Sequence, residues 1–175
     1  MSSADIRDRL QPALLDRLTD ESPRDRVEAD ERRVMSKTQL RHAILRDLSW
    51  LFNASQSHAG WAEQHPALAT TVLNFGLPPL SGQRVSKLDV SQLERAIKRA
   101  IIDFEPRILP ETLVVRALET GSVLDSHNMI DFEISGQMWA QPVPLEILLR
   151  TKLDLEAGQV VVQEAGAKSL ARPVK

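Results

Sequence analysis

The chain has no cysteine and no tyrosine, and only 4% of its 175 residues are aromatic. Without cysteine, disulfide stapling and thiolate metal sites are excluded. So few aromatics leave few platforms for stacking bases or sugar rings, which argues against a single-strand nucleic-acid binder. A formal net charge of −2 provides no global attraction to DNA or anionic lipid. The amino terminus has no apolar run behind a basic start, so no secretory signal is read there. No stretch approaches the ~18 apolar residues of a membrane helix. The expectation is a cytosolic protein that binds no nucleic acid, inserts into no membrane and carries no cofactor.

Hydrophobic residues make up 42% of the chain and charged residues 26%, enough for a packed core built from Leu, Ile, Val and Ala. The length suits one domain with an appendage. Residues 1–35 are that appendage: seven Arg and nine Asp or Glu, with no aromatic and no glycine. From Asp20 to Arg33 there is almost nothing to bury, which predicts a solvated linker. Leu10, Leu14, Leu15 and Leu18 nevertheless recur at helical spacing, and Pro12 suits a first turn. The result is a short amphipathic helix without a core of its own. It either folds back on its own domain or docks into a partner's groove, and the long charged tether favours docking.

Ser36-Lys37-Thr38-Gln39 forms a capping box, and Leu40, Ala43, Ile44, Leu48, Leu51 and Phe52 follow one helical face to about Asn53. Residues 54–65 are small and polar, a predicted loop. Pro66 opens a short helical stretch with Leu68, Val72 and Leu73 apolar, which ends at Asn74-Phe75-Gly76. There Gly76 can adopt the left-handed conformation that closes a helix. Residues 77–85 are a connection marked by Pro78 and Gly82. Ser91-Gln92-Leu93-Glu94 is a second predicted capping box, followed by Leu93, Ile97, Ala100, Ile101 and Phe104 on one face.

After residue 110 the apolar period changes from about 3.6 to 2. Residues 112–119 are apolar on both faces, as in a covered strand. Ile130, Phe132 and Ile134 alternate with Asp131 and Glu133. Leu145, Ile147, Leu149, Leu153 and Leu155 oppose Glu146, Arg150, Lys152 and Asp154. Ala157-Gly158 is a turn signal before a return strand from Val160. Helices followed by strands predict an α+β fold, with two or three N-terminal helices packed on a small, mostly antiparallel sheet. The predicted division is an arm over 1–35, a domain over 36–164 and a frayed tail over 165–175.

Chemistry-bearing patterns are weak. His42, His58, His65 and His127 lack the spacing of a metal-binding helix, so no metal site is expected. There is no nucleophile elbow and no phosphate-cradling glycine pattern, and Ser81-Gly82 is a turn. The sharpest feature is Phe104-Glu105-Pro106-Arg107. Pro106 ends the helix and fixes its own φ. Glu105 and Arg107, two apart in an extended segment, project to one side. The corner presents a carboxylate and a guanidinium together, a local ion pair in one reading and a bidentate partner contact in the other.

Asn74-Phe75-Gly76-Leu77-Pro78, then Leu80-Ser81-Gly82, then Glu105-Pro106-Arg107 after a helix, resembles the baseplate wedge family of contractile injection machines, and within it the TssE proteins of type VI secretion systems. Pro12-Ala13-Leu14-Leu15-Asp16-Arg17-Leu18-Thr19-Asp20 is similar to the amino-terminal segment of those proteins. The matched pattern runs from about residue 12 to 164. The resemblance implies a non-catalytic baseplate component. Glu105, Pro106 and Arg107, with Leu14, Leu15 and Leu18, would bind the wedge proteins TssF and TssG, while Asn74, Gly76, Pro78 and Gly82 would form a structural turn. It also implies that an edge of the hairpin from Leu145 to Glu164 receives strands from the sheath proteins TssB and TssC, so that the chain templates sheath assembly from a cytoplasmic baseplate at the inner membrane.

The competing expectation is a lysozyme-like peptidoglycan hydrolase, a label attached to proteins of this kind. That reaction needs two carboxyl groups across a cleft. Glu105 would be the acid, with Asp103 or Glu111 beside it. Arg107 favours the ionised carboxylate, the opposite of what a general acid requires.

Overall fold

The computed structural model describes residues 13–19, 35–56, 65–80, 89–118, 129–140 and 143–165. The expected linker from Asp20, the turn residues Ser81 and Gly82, His58, His127 and nearly all of the tail after Ala165 lie outside them. Three helices, α1 (Leu14–Leu18), α2 (Lys37–Asn53) and α3 (Val90–Phe104), accompany four strands, β1 (Val114–Ala117), β2 (Met129–Met138), β3 (Leu145–Asp154) and β4 (Gln159–Glu164). The strands lie in the order β1-β2-β3-β4, and every neighbouring pair is antiparallel. The fold is α+β, as the sequence pattern predicts.

α2 begins where its capping box directs. The Gln39 N–H donates to Ser36 Oγ at 3.2 Å, and the Ser36 N–H donates to Gln39 Oε1 at 2.8 Å. The stripe from Leu40 to Phe52 is buried, as is that of α3 from Leu93 to Ile101. Both stripes join the inward residues of the sheet, chiefly Phe132, Ile134, Leu149 and Leu153, in one core. α2 packs beside β4 and α3 beside β1. Each fully buried aliphatic or phenyl side chain contributes about 1.5–3 kcal/mol relative to exposure.

Two expectations are corrected and a third is narrowed. The cap of α3 is Asp89, not Ser91: its carboxylate accepts from the N–H groups of Ser91 and Gln92. A charged acceptor two residues earlier starts the helix sooner. Glu94 instead accepts the Ala117 N–H at 2.7 Å. The expected covered strand over 112–119 is a four-residue edge strand, alternately exposed and half-buried, after a 3-10 turn at Pro110–Thr112. A β-branched run does not distinguish an edge from a centre. Lastly, β3 is an interior strand, paired on both sides, so the free edge of the hairpin is β4 alone.

The short helical stretch expected from Pro66 is two 3-10 turns, Pro66–Leu68 and Val72–Asn74. Among the described residues, no helix is long and apolar enough to cross a membrane.

Candidate functional site

Two of the sequence motifs meet at the C-terminal end of α3. The segment after Asn74 is bound to the end of α2: the Leu77 N–H donates to Ala54 O and the Gln56 N–H to Leu77 O, both at 2.9 Å. Gly76 lies at φ +122°, and a Cβ there would sit 2.3 Å from Ala54 O, so only glycine fits this close approach. Asn74 holds the preceding turn through a side-chain bond to Ala69 O, and Pro78 follows the bridge. The docking brings the Phe75 ring edge-on to Phe104, with centroids 5.3 Å apart.

Phe104 ends α3, and the corner begins. The Glu105 N–H still donates to Ile101 O, while the Ile108 N–H donates to Glu105 O. Beyond the turn, the Trp139 N–H donates to Arg107 O and the Leu109 N–H to Gln137 O, which pins the corner to the end of β2.

Glu105 is 3% exposed. Arg107 grips it side-on, Nε to Oε1 at 2.6 Å and Nη2 to Oε2 at 2.5 Å. Arg107 Nη2 also donates to Asp47 Oδ2 at 2.5 Å. Asp47 accepts from Arg46 Nε at 2.8 Å, and Arg46 Nη1 donates to Asp16 Oδ1 of α1 at 2.6 Å. Five charges thus form a chain, Glu105–Arg107–Asp47–Arg46–Asp16, across three helices. Burial opposes the charge on Arg107, but Glu105 and then Asp47 outweigh it and raise the guanidinium above its ordinary range. Asp47, then Asp16, likewise raises Arg46. Arg46 also lies over Trp50, 5.2 Å from the ring centroid.

Two buried guanidinium nitrogens, Arg107 Nη1 and Arg46 Nη2, have no hydrogen-bond partner among the described residues. Leu14, Leu15 and Leu18 are exposed, Leu14 at 75% and Leu18 at 73%. α1 is therefore held to α2 through Asp16 while its apolar stripe stays uncovered. Pro106 is exposed at the corner. Periodicity could not reveal Asp47 and Arg46, because both lie on the half-buried flank of an otherwise ordinary amphipathic helix.

The hydrolase expectation meets a different geometry. Both Glu105 oxygens are occupied by Arg107, and Asp103 is paired with Arg99 at 2.7 Å. A hollow of about 180 Å³, between the end of α2, residues 77–80 and the β3–β4 turn, is lined by neither Asp nor Glu. His42 and His65 are exposed, and among the described residues no group of three His, Asp or Glu could hold a metal.

Residues 38–143 match the family described as baseplate wedge protein gp25, over more than half the chain. The matched stretch holds α2, α3, both motifs and the charges from Arg46 to Arg107, and ends before β3. Among curated proteins and among solved structures, nothing matches.

Proposed function

The chain belongs to the baseplate wedge protein gp25 family, a structural component of baseplates, and from that premise we propose that it is the TssE subunit of a type VI secretion baseplate. In this reading it is a non-catalytic adaptor, working in the cytoplasm on a baseplate at the inner membrane. One end binds the wedge formed by TssF and TssG; the other presents a sheet edge to the sheath proteins TssB and TssC.

The wedge end comprises α1 and the corner. The uncovered leucines suit an apolar groove in a partner. Arg46 and Asp47, neighbours on α2, tie α1 and the corner to the same helix.

The sheath end is β4, and its orientation is the observation that carries this part. The Val160 N–H and C=O point away from β3, since both bond to Asn53. Antiparallel pairing alternates along the strand, so Val162 and Glu164 direct their backbone groups to the same outer side. A strand added there would give the first sheath ring a template of set orientation.

Sheath assembly on a baseplate carrying Val162→Pro tests this end. Proline removes one outward N–H and leaves the β3 pairing intact. Assembly should fail while co-purification with TssF and TssG persists. Normal assembly in the folded variant would refute strand addition at β4.

A further inference from the structure

Both edges of the sheet are terminated by a side chain from the helix beside them, and the two terminations differ. At β1, the Glu94 carboxylate of α3 takes the Ala117 N–H. At β4, the Asn53 amide of α2 takes both groups of Val160: the Val160 N–H donates to Asn53 Oδ1 at 2.9 Å, and Asn53 Nδ2 donates to Val160 O at 2.8 Å. That reciprocal pair is what a residue of a neighbouring antiparallel strand would offer. A primary amide carries the donor and the acceptor of a peptide group on one carbon, so it can stand in for one. Asn53 is itself held: its Nδ2 also donates to Ser49 O at 2.7 Å, one turn back in α2.

We propose that Asn53 is a register stop: it occupies the Val160 position on the outer edge of β4 and confines an incoming strand to Val162 and Glu164. The proposal rests on the reading that β4 accepts a strand. Its occupant is an extended segment of another chain that pairs through its backbone, with alternate side chains facing the sheet.

The geometry of the strand makes the stop effective. Only every second residue of β4 faces outward, so a shift of register by one pairing unit is a shift of two residues. With Val160 open, a strand could settle one unit too early and still keep its apolar residues on the correct face. Side-chain alternation cannot reject that error, because a two-residue slip preserves it. An occupied backbone pair can. At the opposite end of the strand, Arg41 of α2 reaches both Glu164 and the Glu146 carbonyl. α2 therefore holds β4 at both ends while the Val162 backbone faces outward between them.

The experiment is residue-resolved amide exchange by NMR on the full chain, alone and with purified sheath complex. In the unaltered protein, the Val160 amide should be protected in both states, while the Val162 and Glu164 amides gain protection with the sheath complex. In Asn53→Ala, the Val160 amide should exchange several-fold to about tenfold faster in the free chain, as expected for one lost hydrogen bond. With the sheath complex it should then become protected, because the added strand now reaches it. In Asn53→Asp a second carboxylate oxygen replaces the donor and faces the Val160 and Ser49 carbonyls, so the side chain should swing away and the Val160 amide should behave as in the alanine variant, which keeps the test open if that variant unfolds.

A Val160 amide that stays fast in folded Asn53→Ala with sheath bound, while Val162 and Glu164 are protected, would overturn the register stop alone. So would pairing of the sheath strand at Val160 in the unaltered protein. Absence of added protection anywhere on β4 would instead sink strand addition itself, and the stop with it.

Discussion

The corner and α1 are the two ends of one chain of charges, and they are built in opposite ways. At the corner, Glu105 is 3% exposed, bound by three hydrogen bonds from Arg107, and fastened to β2 through backbone bonds on the far side of the turn. At α1, five helical residues hold on through Asp16, and the leucines face outward. The contrast shows that a charged motif and an apolar motif can exchange their usual places. The charges are buried or half-buried and pair with one another. The apolar side chains are external and available.

Exchanging the charges at the corner should have the largest effect. Glu105→Arg with Arg107→Glu would restore a simple reciprocal pair. Here it places the new carboxylate beside Asp47, and a guanidinium where Glu105 is buried. The double variant should lose about 3–5 kcal/mol, no better than Arg107→Ala alone, because either leaves a buried charge uncompensated. Urea unfolding measures it. Recovery of full stability by the swap would show the pair to be self-contained, and adding Asp47→Asn should recover part of the loss.

Gly76→Ala comes next. The added Cβ meets Ala54 O, and φ is positive, so about 2 kcal/mol should be lost and the Phe75–Phe104 contact loosened. A melting temperature equal to that of the unaltered chain would mean that the 74–78 segment does not brace the corner.

Asp16→Ala tests the joint between the two regions. The carboxylate is mostly buried but Arg46 is a third exposed, so global stability should fall by no more than ~1 kcal/mol. Amide exchange over residues 14–18 should rise far more than that over α2. Equal slow exchange in both helices would show that α1 is held by contacts other than this ion pair.

The smallest effect on folding should come from α1 itself. Leu14→Asp with Leu18→Asp should shift stability by about 0.5 kcal/mol or less, since these side chains are exposed. Co-purification with the wedge proteins should nevertheless be lost. A large drop in melting temperature would place the leucines against the domain's own core.

Local patterning determined much of this protein. The α2 and α3 stripes, the α2 capping box, the inward residues of β2 and β3, and the turn at Gly158, observed at φ +65°, all follow from residues within a few positions of one another. The end of α3 before Pro106 was equally legible, because proline acts on its immediate neighbours, but the extended segment expected beyond it is a turn, closed by the Ile108 N–H on Glu105 O. What the corner touches was not legible. Asp47 lies 60 positions from Arg107, and Arg46 30 positions from Asp16. Nothing in helical period separates a half-buried charge that meets a partner across the fold from one that meets water. Strand order is of the same kind. Alternation assigns faces, but it carries no information about the edges of a sheet, so the hairpin alone did not reveal that β3 is interior and β4 outermost. Whether a backbone N–H or C=O is taken or open depends on what the folded chain brings alongside it, and at Val160 that is an asparagine from a helix 107 residues earlier.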